Sequence, residues 1–245
     1  MNNSTSAGTS ATSTVATAAP KLRGAGTASL VRGVVAGSLL VNAVVTVVSI
    51  LLMPDFSGSA AESLAAIAEA GTTATVSAIG FTASQLFLAI GLLGVAHLVR
   101  ARVPVLAGIG YALVLLGAFG HAVYGGVNLV MLVMAEGLGA VEVHAGVLER
   151  TEQGALPLLA AGLLGTVVGF ILLGAAVWRS GMMPRWVGPA MIVWVLLEFV
   201  GSTLSPWATY ASGALYVAVF AALALSVVRS SIGHWQTAAE AGQEL

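Results

Sequence analysis

Residues 30–53 read LVRGVVAGSLLVNAVVTVVSILLM, and this stretch decides the fold. Its single charged residue, Arg32, stands near the start, and the pair Pro54 and Asp55 ends it. A helix needs about 20 consecutive apolar residues to cross the hydrocarbon core of a bilayer. We therefore predict a membrane-spanning helix here.

Five more apolar segments follow along the chain, at residues 76–99, 104–135, 157–178, 186–203 and 206–228. Three of them begin at a proline, namely Pro104, Pro157 and Pro206. A proline in the first turn of a helix has no intrahelical hydrogen bond to lose, so these positions mark helix starts. The sequence thus predicts an all-α fold, a polytopic bundle of six transmembrane helices.

The composition agrees with this prediction. Of the 245 residues, 58% are hydrophobic and 8% are charged, and the mean hydropathy is +0.98. Soluble domains carry about 25% charged residues, so an ordinary soluble domain is excluded. The chain has no cysteine, which excludes disulfides and thiolate metal sites. A net charge of −1, with basic residues at helix ends, argues against a nucleic-acid partner.

The beginning of the chain has a different composition from the rest. Residues 1–28 are rich in Ser, Thr, Ala and Gly and show no apolar period. Such a segment buries too little surface to offset the entropy of ordering it. We expect a disordered tail over 1–28, a six-helix domain over 29–229 and a short C-terminal tail over 230–245.

Charged residues separate onto the two sides of the predicted bundle. One side carries the basic residues Lys21, Arg23, Arg32, Arg100, Arg102, Arg179, Arg185 and Arg229. The other carries Arg150 and the acids Asp55, Glu62, Glu69, Glu136, Glu142, Glu149 and Glu152. Because loops rich in Lys and Arg stay in the cytoplasm, we predict a multi-pass cell-membrane protein with both termini cytoplasmic.

Two outer loops contain short apolar patterns. Residues 60–70 read AAESLAAIAEA, which predicts a short helix with Leu64 and Ile67 on one face. Residues 138–150 are compatible with another such helix. Either loop would act as a lid packed on the bundle or as a gate over a pocket.

One run resembles a known group of sequences. WRSGMMPRWVGPAMIVWVLL, at 178–197, resembles a segment of uncharacterised bacterial six-helix membrane families, and HLVRARVPVLAGIGYALVLLGAFGHA, at 97–122, is similar in character. The resemblance implies a bacterial inner-membrane protein. It transfers no functional residue, because those families have no known activity.

Polar side chains inside the predicted spans are the candidates for function, because burying them in hydrocarbon is costly. Helix one carries Ser38, Asn42, Thr46 and Ser49 on one face, and helix two carries Thr82 and Gln85. Helix three carries Gly117, His121, Tyr124 and Asn128, and helix five carries Trp194, Glu198 and Ser202. Helices four and six are almost wholly apolar in their spans.

The candidate ligand- or proton-binding residues are therefore His121, Glu198, Asn42, Tyr124, Asn128, Gln85, Trp194 and Ser202. Helices one, three and five run in the same direction, and we expect their polar faces to converge on one cavity in the outer half of the membrane. We predict that His121 and Glu198 interact there, directly or through one water. A purely structural role, as hydrogen bonds between helices, stays open for each of them.

Glycines on helices three and four predict a close contact between backbones. They are Gly117, Gly120, Gly125, Gly126, Gly162, Gly165 and Gly169. Small residues let membrane helices approach each other, either within the bundle or at a dimer face.

No pattern of catalytic residues occurs, and we expect no catalytic residue, metal or cofactor. We predict a non-enzymatic protein that binds a small or lipidic ligand, or a protein partner, in an outer polar cavity. The alternative is a small proton-coupled transporter, or permease, that uses Glu198 and His121. Besides the lipid bilayer, a second copy of the chain or another protein remains open as a partner.

Overall fold

The computed structural model describes residues 20–233 and Trp235, and all regular elements in this part of the chain are helices. Residues 1–19, which form most of the predicted tail, lie outside the described residues, as do His234 and 236–245. The prediction of an all-α fold is confirmed.

Seven helices follow one another in the described residues: α1 Pro20–Leu51, α2 Ala60–Ala70, α3 Thr72–Val99, α4 Pro104–Glu136, α5 Val141–Ser180, α6 Val187–Leu204 and α7 Pro206–Arg229. All except the short α2 are long and apolar enough to cross a membrane. The chain is therefore a multi-pass membrane protein, as the sequence predicts. Within α6, residues Leu197–Gly201 form a turn of π-helix.

Two helix starts differ from the sequence prediction. Helix α1 begins at Pro20, so residues 20–28 are helical although we expected them in the tail. Helix α5 begins at Val141, which places Pro157 inside the helix rather than at its start. Helix α5 therefore includes most of the predicted loop at 138–150. Ala145 and Leu148 are buried there against the rest of the protein and extend the packed face of the helix.

The six long helices form a closed ring in chain order. Each packs against the next, and α7 returns to pack against α1. Consecutive helices joined by short loops run in opposite directions, so the neighbours in the ring are antiparallel. A continuous apolar core fills the ring, and its fully buried members include Leu39, Leu92, Phe170, Leu173 and Phe220.

The two ends of the ring carry opposite charges. We call one the arginine end, defined by Arg100, Arg102, Arg179, Arg185 and Arg229. The other is the acidic end, defined by Asp55, Glu62, Glu69, Glu136, Glu142, Glu149 and Glu152. This separation follows from the six spans, because successive loops alternate between the two ends.

Helix α2 forms a packed cap on the acidic end. Ser59 and Glu62 form a capping box, in which each side chain bonds the backbone N–H of the other residue. Donation from the Ser59 backbone lowers the pKa of the Glu62 carboxyl, so the box persists to a lower pH than that at which an ordinary glutamate is protonated. Leu64 and Ile67 are buried against Met131 and neighbouring apolar residues. The predicted short helix at 60–70 is confirmed.

At the arginine end, the chain after α7 folds back onto the bundle. Trp235 is buried, its ring stacks on His97 with 5.2 Å between ring centroids, and its carbonyl lies 3.1 Å from His97 Nε2. Arg32 Nη1 donates to the Ser230 carbonyl at 2.6 Å. The predicted C-terminal tail therefore begins with residues that pack on α1 and α3.

Helices α4 and α5 approach each other at their glycines. A Cβ atom built on Gly120 would lie 2.6 Å from the Gly162 Cα, and one built on Gly165 would lie 2.8 Å from the Leu113 carbonyl oxygen. Real Cβ atoms do not come that close to backbone atoms. The interpretation of these glycines as contacts within the bundle is confirmed, except for Gly126, which has no such neighbour within 4 Å.

We predict that Gly120→Ala destabilises the protein, because the new methyl group would force the α4 and α5 backbones apart. The expected loss is about 1–3 kcal/mol in the free energy of unfolding, the usual cost of overpacking. Gly126→Ala is the matched control on the same helix and should have little effect. Thermal unfolding in detergent, followed by circular dichroism, measures both variants, and equal losses would contradict this packing.

Candidate functional site

The predicted site residues fall into two groups in the structure. Asn42, Trp194, Glu198 and Ser202 lie along α1 and α6, where α7 packs between them. His121, Tyr124 and Asn128 lie on α4, and Gln85 lies on the adjacent α3. No hydrogen bond joins the two groups, although Glu198 interacts electrostatically with His121, and the expected convergence of helices one, three and five on one cavity stays a prediction.

Glu198 is the acid of the first group. Its Oε2 accepts a hydrogen bond from the Ser212 hydroxyl of α7 at 2.5 Å. Its other oxygen, Oε1, has no hydrogen-bond partner among the described residues and remains accessible rather than buried. The carboxyl group is thus held from one side and open on the other.

The π turn at Leu197–Gly201 sets the position of this acid. A π turn holds one extra residue per turn and leaves a backbone carbonyl without its normal α-helical partner, and such turns occur frequently at functional sites. The Ser202 hydroxyl donates to the Glu198 carbonyl and satisfies it. Ser202, predicted as a binding residue, therefore supports the backbone beneath Glu198.

A second layer of polar contacts lies one helical turn away from Glu198. Asn42 Nδ2 donates to the Tyr216 hydroxyl at 2.7 Å, and Thr46 Oγ1 donates to Asn42 Oδ1 at 3.3 Å. The ring of Trp194, four residues before Glu198, packs on the Tyr216 ring with centroids 4.8 Å apart. Asn42 and Tyr216 are both buried, so this layer joins α1, α6 and α7 within the core.

Two residues of this site, Ser212 and Tyr216, are absent from the sequence prediction. We expected helix six to be almost wholly apolar, and that expectation is wrong for the face that α7 turns toward α1 and α6. The sequence signal that could have identified them is their spacing of four residues, which places both hydroxyl groups on one side of α7.

A cleft of about 70 Å³ opens beside Glu198. Its lining residues come from the end of α1, the π turn and the start of α7, and they are Val47, Ile50, Leu51, Glu198, Thr209, Tyr210, Gly213 and Ala214. Leu51 and Tyr210 are more than half exposed, so the cleft opens on the side of the ring near the acidic end. Apart from the carboxyl group and two hydroxyls, the side chains that line it are aliphatic or aromatic.

His121 belongs to the second group, where α3, α4 and α5 meet. Its Nδ1 lies 2.9 Å from the Gly117 carbonyl and 3.3 Å from Thr166 Oγ1. Because a carbonyl only accepts hydrogen bonds, the short contact requires the proton on Nδ1. Phe81 packs edge-on against both His121 and Tyr124, with centroids 5.9 and 6.4 Å away. Thr166 is a second contact that we missed by expecting helix four to be apolar.

The two amide side chains of this cluster make local contacts. Gln85 Nε2 donates to the Phe81 carbonyl and to Ser84 Oγ on its own helix. Asn128 is buried, and its Oδ1 has no hydrogen-bond partner in the described part of the chain. It borders a cavity of about 10 Å³ under α2, which is about the size needed for one water molecule.

No hydrogen bond or ion pair joins His121 to Glu198. Within residues 20–233 and Trp235, no cluster of three or more His, Cys, Asp or Glu side chains is arranged to hold a metal ion. The structure therefore supplies one open carboxylate and, separately, a histidine cluster.

No family model matches this chain, and no curated protein and no solved structure shows significant similarity to it. The resemblance to bacterial six-helix families stays a prediction.

We predict that His121→Ala and Glu198→Gln have nearly additive effects on stability, because no hydrogen bond or ion pair joins the two side chains. The sum of the single effects should match the double variant within about 0.5 kcal/mol, as for independent sites. Thermal unfolding in detergent provides the measurement.

Asn42→Ala and Tyr216→Phe form the positive control, since these side chains share a hydrogen bond. Their coupling should be about 0.6–1.7 kcal/mol, the range for hydrogen bonds between membrane helices. Coupling of that size between His121 and Glu198 would instead support the bridge through one water that the sequence predicts.

Proposed function

We propose that this protein is a non-enzymatic membrane protein that binds an amphiphilic ligand, small or lipidic, in the cleft beside Glu198. The observation that carries the proposal is the Glu198 carboxyl group, which Ser212 holds at one oxygen, while the other oxygen has no partner among the residues described and the residue lines an apolar cleft. A ligand site has this composition: mainly apolar walls and a few polar groups that fix orientation.

The position of Glu198 supports a functional role. An acid inside a membrane-spanning helix is costly, and such residues mark binding sites or ion pathways. Glu198 lies six residues before Leu204, the end of α6, which is about 9 Å along the helix axis. The acid is thus reachable from the acidic end and lies beneath it.

The size of the cleft limits what it can hold. Pockets that enclose a whole drug-sized molecule measure about 300–1,000 Å³, several times more than the cleft here. The cleft therefore fits the polar end of a ligand, and the rest of that ligand would extend along the lipid-facing surface of α1 and α7. A molecule with one polar end and an apolar tail meets both conditions.

The alternative hypothesis, proton-coupled transport, has less support. Coupled transporters combine several intramembrane ionisable groups along a path between the two faces. Here no hydrogen bond or ion pair joins Glu198 to His121, and the two side chains interact only electrostatically.

We place the protein in a bacterial inner membrane with the arginine end in the cytoplasm, so that both termini lie there. The support is the number of arginines in the short loops of that end, together with the rule that basic loops are retained in the cytoplasm. Lipid is then the partner of the apolar side chains exposed around the ring, and a second copy or another protein would have to bind over them.

Reporter fusions test this orientation. Fusions after Ala101, Gly181 and Gly233 should report a cytoplasmic position, and fusions after Gly58 and Gly139 an external one, because successive loops alternate between the two sides. An external report at Gly181 would contradict the orientation, and an odd number of crossings would contradict the six-span fold.

We predict that Gly213→Leu blocks the cleft. A Cβ atom on Gly213 would sit 3.6 Å from Val47 Cγ1, an ordinary contact, so the remaining leucine atoms would occupy the cleft while Glu198 and Ser212 stay in place. Gly213→Ala should bind as the wild type does. Gly37→Leu, on an α1 position with no neighbour within 4 Å, controls for the added bulk.

The probe for this test is a photoreactive decanol that carries a diazirine in its chain. In detergent micelles it should label peptides from the end of α1 and the start of α7, and Gly213→Leu should remove that labelling. Equal labelling of Gly213→Leu and the wild type would contradict binding in the cleft.

A further inference from the structure

We propose that the group recognised by Glu198 is a primary ammonium, carried on an apolar chain without an adjacent phosphate. This inference rests on the proposed function and adds to it the chemical class of the ligand.

The hydrogen-bond pattern requires a donor. Ser212 is fully buried, and its hydroxyl donates to Oε2, so the carboxyl group acts as an acceptor at that oxygen. An ionised carboxylate only accepts, and its free Oε1 is therefore matched by a ligand that donates. Ammonium and hydroxyl groups both meet this condition, whereas a second carboxylate does not.

The missing counter-charge favours an ammonium over a hydroxyl. No Lys, Arg or His side chain in the described ranges lies within ion-pair distance of Glu198, and His121 interacts with it only electrostatically at longer range. An unbalanced carboxylate in a medium of low dielectric constant is costly, and a cation in the cleft would balance it. A hydrogen bond between two charged groups is also roughly twice as strong as one between neutral groups.

The lining supplies the other contacts that an alkylammonium needs. The aromatic ring of Tyr210 borders the same cleft, and aromatic faces attract cations. Val47, Ile50 and Leu51 line the α1 side and offer an aliphatic surface to the chain next to the nitrogen. A metal cation would gain nothing from these aliphatic walls, because hard cations need several oxygen ligands.

The depth and size of the cleft limit which kinds of ammonium ligand it can bind. A primary ammonium donates directly to Oε1, whereas a trimethylammonium group has no N–H and is larger. The amine of a phosphoethanolamine lipid is joined to a phosphate, and binding it about 9 Å below the end of α6 would bring that negative charge close to Glu198. A simple amphiphilic amine avoids this repulsion.

The experiment compares probes that differ only in the polar end. Decylamine, decanol, decanoate and decyltrimethylammonium compete with the photoreactive decanol for labelling of the purified full chain in a neutral detergent. We expect decylamine to compete about tenfold better than decanol, which corresponds to the extra strength of a charge-assisted hydrogen bond. Decanoate and decyltrimethylammonium should compete less well than decylamine.

Glu198→Gln is the decisive variant, because it keeps the size and the acceptor for Ser212 but removes the charge. The preference for decylamine over decanol should fall to less than about twofold, while labelling by the decanol probe persists. Tyr210→Leu leaves the carboxylate intact and should reduce the same preference in part, which gives a second test if Glu198→Gln does not fold. Tyr210→Phe, which keeps an aromatic face, is its matched control.

Each contrary result of this experiment overturns a different claim. Equal competition by decylamine and decanol in the wild type would overturn the ammonium inference and leave the proposed cleft intact. A preference that survives in Glu198→Gln would also overturn it. Competition by phosphatidylethanolamine equal to that of decylamine would overturn the choice of a phosphate-free amine. Labelling that is absent from the cleft altogether would overturn the proposed function itself.

Discussion

The hydrogen bond between Asn42 and Tyr216 closes the ring of helices, and the rest of the site depends on that closure. The two residues lie 174 positions apart, on the first and last helices of the bundle. In hydrocarbon a buried amide gains from a partner on another helix, since water is not available to it. Closure at Tyr216 also turns Ser212, one turn away on α7, toward Glu198, and it leaves the cleft between the ends of α1 and α7.

The glycine contact between α4 and α5 determines the immediate surroundings of His121. Backbones that meet at Gly120 and Gly162 leave no room for side chains between them. His121 consequently bonds to Gly117 and Thr166 within this pair of helices, and Glu198 bonds across α6 and α7. No hydrogen bond or ion pair joins His121 to Glu198, and their interaction is electrostatic.

The sequence was informative wherever one helix determines the outcome. Apolar length predicts the six spans, and the spacing of Leu64 and Ile67 is sufficient for α2. The sequence was uninformative where contacts between helices determine the structure. Pro157 lies inside α5 because Leu148 and its neighbours pack against α2 and extend the helix beyond the proline. Likewise Asn42 and Glu198 were identified as polar positions, but their partners Tyr216 and Ser212 follow only from which helices are neighbours in the ring. A single sequence does not contain that order.

Disulfide crosslinking tests the closure of the ring most directly, because the chain contains no native cysteine. A Cβ atom on Gly213 lies 3.6 Å from Val47 Cγ1, so these two positions are in contact across α1 and α7 and the pair Val47→Cys and Gly213→Cys is suited to a crosslinking test. Our account predicts rapid oxidation to an intramolecular crosslink in membranes. It also predicts no crosslink for the control pair of Val47→Cys with Gly126→Cys, which faces outward on α4. Failure of the first pair to crosslink, or equal crosslinking of both pairs, would contradict it.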